Sequence, residues 1–474
     1  MKNKSDRPIE ENNDKKKAKT VSGWEAFAVL AIIISTIGIS LIFLGAEPHV
    51  PLFMSIIILV VYNRVKGQSW TILENGIVKG IQSGIIPLMI FLFIGVLIAV
   101  WMRSGTIPTL INYSFHLISV DYFLPSVFIV TAVIGISVGS SFTTASTIGI
   151  AFMSLGSALG YDLAMVAGAV VSGALLGDKM SPLSDTTNLA SSVCKVDLFD
   201  HIRYMLWTAV PAFVLSLVLF FLIGHNQDQV VRTEINEWMT ALQESTNVHV
   251  IALVPAIVMV ILAMKRVPTL PTMLTGIGAG FFITLLLEGQ VNPQEWMTLI
   301  QHGFEMESGN EQVDSLLNRG GIQSMMWAVS LLLLALSMGG MLSALGTIPA
   351  LIQAIQRFVS TTGRAVLTVV LSAIGLNISL GEQYMSVVLT GEAFIDRFKE
   401  MGLEGKHLSR ALESGGTVIN ALIPYGVTGV FMASVLEVSV LSYLPFAFFC
   451  LLCPLITIFY GFTGISMKKR EING

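Results

Sequence analysis

Charge is scarce in this chain. Asp, Glu, Lys and Arg together make up 12% of its 474 residues, against 53% hydrophobic residues, and the mean hydropathy is +0.75. A water-soluble enzyme fold is a poor candidate for such a composition, whereas a polytopic membrane protein fits it. Two-residue alternation is missing from the long Leu/Ile/Val/Phe runs. That sets aside a membrane β-barrel and leaves helices, in which each segment satisfies its own backbone N–H and C=O groups. A basic excess is missing too: the formal net charge is -4, and the single compact basic cluster, Lys15 to Lys19, reads as a segment on the cytoplasmic membrane surface. No nucleic-acid partner is expected from it. Cysteine is limited to Cys194, Cys450 and Cys453, too few and too scattered for a disulfide framework. Cys450 and Cys453 lie inside an apolar segment and read as packing thiols, since a structural zinc site wants four converging ligands. No Ser/His/Asp, metal-ligand or phosphate-loop arrangement appears, so neither an enzyme nor a resident cofactor is expected. No small-residue cleavage site closes the first apolar run, Trp24 to Leu44, which reads as a retained transmembrane helix.

What is abundant is apolar helix, and the placement of Lys and Arg orients it. With a basic tail (1–23) inside, the chain exits over Trp24 to Leu44 and returns over Leu52 to Val61 to a loop holding Arg64 and Lys66. An amphipathic, interfacial segment follows, Ser69 to Ser83, and then an outward span, Gly84 to Met102. Phe123 to Gly160 places a Gly/Ser/Thr centre, Gly135 to Thr147, between two short apolar arms, the pattern of a re-entrant hairpin. Ala164 to Ala190 crosses inward, with an interruption, to a loop with Lys195 and Arg203. Tyr204 to Gly224 returns outward and completes a first set of spans (24–224), followed by an external loop (225–249).

The sequence then repeats itself. Gly80-Ile-Gln-Ser83 recurs as Gly321-Ile-Gln-Ser324, and Gly105-Thr-Ile-Pro-Thr-Leu-Ile111 recurs as Gly346-Thr-Ile-Pro-Ala-Leu-Ile352. Both pairs share one offset, and one residue further Ser172-Gly173 faces Ser414-Gly415 and Pro182 faces Pro424. The second set (250–464) enters over Val250 to Met264, since Lys265-Arg266 belongs inside, and ends at a cytoplasmic tail (465–474) with Lys468, Lys469 and Arg470. The basic loop Arg397 to Arg410 falls inside, while its counterpart around Gly160, without Lys or Arg, falls outside. The expected fold is therefore all-α: about ten transmembrane helices plus two hairpins, in two inverted-topology repeats, each with a re-entrant hairpin and a broken transmembrane helix.

Such repeats bind ions near the bilayer midplane, where the broken helices meet. The first break is the run GDKMSPLSDTTN, Gly177 to Asn188. Pro182 removes a backbone donor and clashes with the preceding turn, freeing carbonyl oxygens. Asp178 and Asp185 flank it, projecting to roughly the same side if both arms stay helical, and Ser181, Ser184, Thr186, Thr187 and Asn188 add hard oxygen donors. A Na⁺ site at Asp178, Ser184, Asp185 and Asn188 is the expectation. A charge at the bilayer centre costs about 3 kcal/mol even on lenient scales, so several together imply use rather than an inert loop. Lys179 is either a structural partner of Asp178 or a built-in cation that Na⁺ or a proton displaces.

The second broken helix, Ala411 to Leu436, carries Glu413, Asn420, Pro424, Tyr425 and Thr428. In the first hairpin Ser140, Ser141, Thr143 and Thr144 either close the ion site or join helices by hydrogen bonds. The second hairpin offers Asn377, Glu382 and Gln383, with a carboxylate at its tip. Burial favours the protonated form of a carboxylate, which makes Glu382 and Glu413 candidate proton carriers beside Asp178 and Asp185. All seven histidines fall in expected loops or near span ends and read as surface imidazoles.

At GDKMSPLSDTTN the chain resembles the NhaC family of bacterial sodium/proton antiporters, which also includes malate/lactate antiporters coupled to sodium and protons. The likeness extends over nearly the whole chain. Gly139-Ser-Ser-Phe-Thr-Thr144 departs from a GTSxGT-type hairpin, with Ser140 and Thr143 in place of Thr and Gly. The resemblance implies an elevator mechanism, hairpins and broken helices moving against a dimerising scaffold, and hence a homodimer. Three functions stand beside one another: Na⁺/H⁺ antiport in the cell membrane; exchange of a small organic acid, malate against lactate, with Na⁺ at the same run; and, remotely, a channel or a non-transporting receptor. An anionic substrate wants fixed positive groups, and the expected membrane core offers only Lys179, with half-helix N-termini for the rest.

Overall fold

The computed structural model describes residues 21–117, 122–224, 240, 243–265, 267–289, 292–307, 314, 317–357 and 359–467. The cluster Lys15 to Lys19, most of the loop 225–249, Arg266 and the terminal Lys468 to Arg470 lie outside them. Among the described residues every regular element is helical. Seven helices are long and apolar enough to cross a membrane: Gly23–Phe43, Ile85–Arg103, Leu163–Met180, Leu198–Gly224, Thr269–Glu288, Gly321–Ala344 and Thr362–Leu380. Val427–Leu436 and Val440–Phe446, bent by 91°, make an eighth if taken as one span. Shorter apolar helices occupy His49–Val65, Phe123–Val138, Val250–Met264 and Phe448–Thr463.

These helices differ in what surrounds them. Ile85–Arg103, Leu163–Met180 and Thr362–Leu380 bury most of their side chains, whereas Leu198–Gly224 and Thr269–Glu288 leave Phe221, Leu222, Phe282 and Leu286 uncovered. A wide uncovered apolar face is unfavourable in water and unremarkable against lipid. In one group Gly321–Ala344 packs on Trp70–Ser83 and Ile85–Arg103, which in turn meets Thr269–Glu288. In the other, Phe123–Val138 packs on Leu163–Met180, and Phe448–Thr463 on Thr362–Leu380 and Leu198–Gly224. Phe123–Val138 and Leu163–Met180 meet glycine on glycine: a Cβ at Gly177 would lie 2.4 Å from Gly135 Cα.

Two turns are built alike at the distance the repeat requires. Phe123–Val138 stops at Gly139 (φ 71°), and Ser140 caps the helix that follows. Thr362–Leu380 stops at Gly381 (φ 68°), and Glu382 caps the next. Both glycines adopt the left-handed conformation that side-chain-bearing residues rarely take, which ends a helix within one residue.

The histidine expectation fails at two positions. His201 and His407 are fully buried. His201 Nδ1 pairs with Ser409 Oγ (2.7 Å), and His407 Nδ1 with Tyr204 OH (2.5 Å). The reason is packing: Gly405–Leu412 lies against Leu198–Gly224, so helix ends that look terminal in sequence cover one another.

Candidate ion site

Leu163–Met180 starts on a side-chain cap, Asp162 accepting from the Ala164 N–H at 2.8 Å, and stops where Ser181 turns extended (φ -89°, ψ 132°). Pro182 and Leu183 bridge the gap, and Ser184 caps Asp185–Val193 by accepting from the Thr187 N–H (3.4 Å). The expected break therefore exists, with a helix on each side. Its carbonyls are not all free. Thr187 Oγ1 donates to Lys179 O (3.1 Å) and Asp178 O (3.4 Å), and Asn188 Nδ2 to Pro182 O (3.0 Å) and Ser184 O (2.7 Å). Thr187 and the Asn188 amide nitrogen thus hold the break together, as a helix interruption away from water demands. The Asn188 carbonyl oxygen remains an available donor for a cation.

The turn at Gly139 seats on this break. Room for a Cβ there is taken by Leu183 Cβ at 2.5 Å and Ser181 Oγ at 2.9 Å. Ser141 then reaches Asp178, its hydroxyl donating to Oδ2 at 2.7 Å and its N–H at 3.3 Å. Asp178 is 7% exposed; Asp185, the first residue of the second arm, is exposed. Both carboxylates line one cavity of about 640 Å³, together with Ser140, Ser141, Thr143, Thr186 and Asn188. Gln383 and Tyr384 come into it from the other turn, and Ser83, Pro87 and the segment 267–272 from the opposite helix group. Among the described residues no Lys or Arg lines it. Ser140 caps the short helix Ser141–Thr144, its hydroxyl accepting from the Thr143 N–H and Oγ1 (both 3.2 Å), and Thr144 donates to Ser140 O (2.8 Å).

The second half is closed where the first is open. Asn420 Nδ2 donates to Asn377 Oδ1 (3.0 Å), and its Oδ1 accepts from the Thr428 N–H (2.7 Å). Asn377 Nδ2 donates to Gly416 O (2.6 Å), Thr428 Oγ1 to Gln383 Oε1 (3.2 Å) and Tyr425 OH to Ile378 O (2.7 Å). Asn420 stands at the position that matches Asp178 in sequence, but the contacts differ: Asp178 accepts from Ser141 after its turn, whereas Asn420 donates to Asn377 and to Gly381 O (3.4 Å) at its own. Glu382 uses both carboxylate oxygens as a helix cap, accepting from the Tyr384 (3.0 Å) and Met385 (2.7 Å) N–H groups. It lines a separate cavity of about 300 Å³ beside Lys79 and Asn75.

Lys179 turns away from the cavity, donating to Ser414 Oγ (3.0 Å) and Cys453 Sγ (3.2 Å). Cys453, expected as a packing thiol, is thus also a hydrogen-bond acceptor. Glu413 is fully buried. Among the described residues no cluster of three His, Cys, Asp or Glu could hold a metal ion. Of the donors expected from sequence, Thr144, Ser181, Ser184 and Thr187 are not among the cavity's lining residues, while Ser83, Thr269, Thr272 and Tyr384, which do line it, were not among the expected site residues because they lie outside the polar runs.

The chemistry available is narrow. Hard oxygen donors with two carboxylates and no cation suit a hard cation rather than an anion. A proton competes with such a cation for the same oxygens.

Comparison with known proteins bears on that choice. The Na⁺/H⁺ antiporter family profile matches residues 173–465. The Na⁺/H⁺ antiporter NhaC of Alkalihalophilus pseudofirmus is 44% identical over 94% of this chain and 96% of its own, and that of Bacillus subtilis 41% over 92% and 95%. The malate-2H⁺/Na⁺-lactate antiporter of Bacillus subtilis is 32% identical over 93% of this chain and 94% of its own.

Proposed function

Because the chain belongs to the Na⁺/H⁺ antiporter family, we propose that it exchanges Na⁺ for H⁺ across the cell membrane, with Na⁺ held at Asp178, Ser184, Asp185 and the Asn188 carbonyl. One observation carries the reading: the cavity at the first break holds two carboxylates and several hydroxyls, and among the described residues no Lys or Arg lines it. Sodium and protons then exclude one another, because a protonated carboxylate no longer attracts Na⁺. Ser141, donating to Asp178 at 2.7 Å, orients the carboxylate from the first turn.

Alternating access follows from the architecture proposed for it. The chain forms two inverted repeats of about ten spans and two re-entrant hairpins, with both termini cytoplasmic. The matched turns at Gly139 and Gly381 and the matched breaks at Pro182 and Pro424 support the repeat; Lys265, Arg397 and Lys399 support the orientation by charge. Hairpins and broken helices move as one body against the group containing Ile85–Arg103 and Gly321–Ala344. The cavity's position between those two groups is what such a motion needs, since sliding there changes which side it faces.

A second reading has its own support. About 640 Å³ exceeds what one Na⁺ needs, and a relative at 32% identity is named for malate and lactate. Purified protein in proteoliposomes separates the two. An imposed Na⁺ gradient is expected to move protons with no organic acid present, and exchange that appears only on adding malate or lactate would favour the organic-acid reading.

A further inference from the structure

Lys179 and Glu413 lie apart from the cavity. Lys179 ends the helix that carries Asp178, is fully buried, and reaches across to the second broken helix at Ser414, whose hydroxyl also accepts from Thr457 Oγ1 (2.8 Å). Glu413 precedes Ser414 in the widened turn 413–417. It too is fully buried, and neither of its carboxylate oxygens has a hydrogen-bond partner among the described residues. Thr417 faces it from the same turn without reaching bonding geometry. Among the described residues the other charged or titratable groups around this pair are Asp178 on the first broken helix, Cys194 beyond Asp185–Val193, Cys450 and Cys453 on Phe448–Thr463, and His201 near Lys179.

An ionised carboxylate buried without a donor is costly, and so is an ammonium whose acceptors are only a hydroxyl and a thiol; each needs the other's charge. With Asp178, Lys179 and Glu413 all ionised, the buried set keeps one net negative charge. Either Na⁺ at Asp178 or a proton on Glu413 neutralises it. Glu413 is the group that feels both neighbours, attracted by the Lys179 ammonium and repelled by the Asp178 carboxylate, so Na⁺ at Asp178 removes the repulsion and leaves the attraction.

We propose that Glu413 is a second proton-binding residue, outside the cavity, which exchanges its proton against Na⁺ at Asp178, with Lys179 as the counter-charge of its ionised form. This rests on the antiport reading. When Na⁺ leaves, the bare Asp178 carboxylate repels Glu413, which takes up H⁺ as the neutral acid. When Na⁺ returns, Lys179 balances Glu413 and the proton departs to water. No bond other than the O–H is made or broken.

The test is Na⁺-dependent thermal stabilisation of the purified full-length protein, which reports apparent Na⁺ affinity as a function of pH. Wild-type affinity is expected to rise with pH, since protons compete. In Glu413→Gln the rise is expected to shrink by about fivefold or more, and a Glu413→Gln profile equal to wild type overturns the proposal. If Glu413→Gln does not fold, Glu413→Asp keeps the acid on a shorter arm. Its profile midpoint is expected to move by about half a pH unit or more, and an unmoved midpoint overturns the proposal. A wild type showing no Na⁺ stabilisation at any pH overturns the antiport reading itself, a result distinct from a pH-insensitive mutant comparison.

Discussion

Replacing Gly177 with alanine should loosen the cavity from behind. A methyl there would stand 2.4 Å from Gly135 Cα, 2.5 Å from Gly135 C and 2.7 Å from Ile136 N. All three are backbone atoms, so no side-chain rotation relieves the contact and the two helices must separate. Overpacking of this kind costs about 1–3 kcal/mol. The displaced helix, Phe123–Val138, ends at the turn that delivers Ser141 to Asp178, so the 2.7 Å bond lengthens with it and Na⁺ affinity falls. Gly278 is the control: it is also helical, but a Cβ there meets nothing within 4 Å, and alanine should gain about 0.5–1 kcal/mol of helix propensity. Thermal unfolding in detergent, followed with and without Na⁺, reads both effects. A Gly177→Ala protein that melts at or above wild type refutes the packing argument. One that melts lower with unchanged Na⁺ affinity refutes the link from that packing to the site.

Other perturbations separate support from binding. Asn420→Ala removes the acceptor of the Thr428 N–H and the donor to Asn377, leaving buried polar groups unpaired; a loss of about 1–3 kcal/mol in stability is expected, with Na⁺ affinity retained in the folded fraction. Asp185→Asn should abolish Na⁺-dependent transport while leaving the melting temperature near wild type, because the side chain is exposed to the cavity and makes no structural contact of its own. For orientation, Ser157→Cys should react with an impermeant thiol reagent from outside whole cells and Lys399→Cys only after the cells are opened. Ser157 serves better than Gly160, whose φ of 70° disfavours a side chain, and the native cysteines are buried. Reversal of either label would remove the inverted repeat.

Much of the site was legible in sequence because polar residues in an apolar chain have few reasons to be there. Pro182 marked the break, the shared offset located its counterpart at Pro424, and Asp178 and Asp185 fell on one cavity as their spacing implied. Position alone could not divide the donors by task. Thr187 and the Asn188 amide nitrogen look like ligands in the run, yet they bind the carbonyls that Pro182 sets free. Glu382 looks like a proton carrier at a tip and spends both oxygens as a cap. His201 and His407 sit at helix ends, where sequence suggests a surface and helix packing supplies a core. Each of these depends on which element lies alongside, and local pattern does not encode that.

The most direct measurement is equilibrium binding of radioactive Na⁺ to the purified protein. Wild type is expected to bind Na⁺ at alkaline pH, to release it on acidification and to be indifferent to malate and lactate, while Asp178→Asn binds none. Undiminished binding by Asp178→Asn, or binding that requires the organic acid, would contradict a sodium site at the first broken helix.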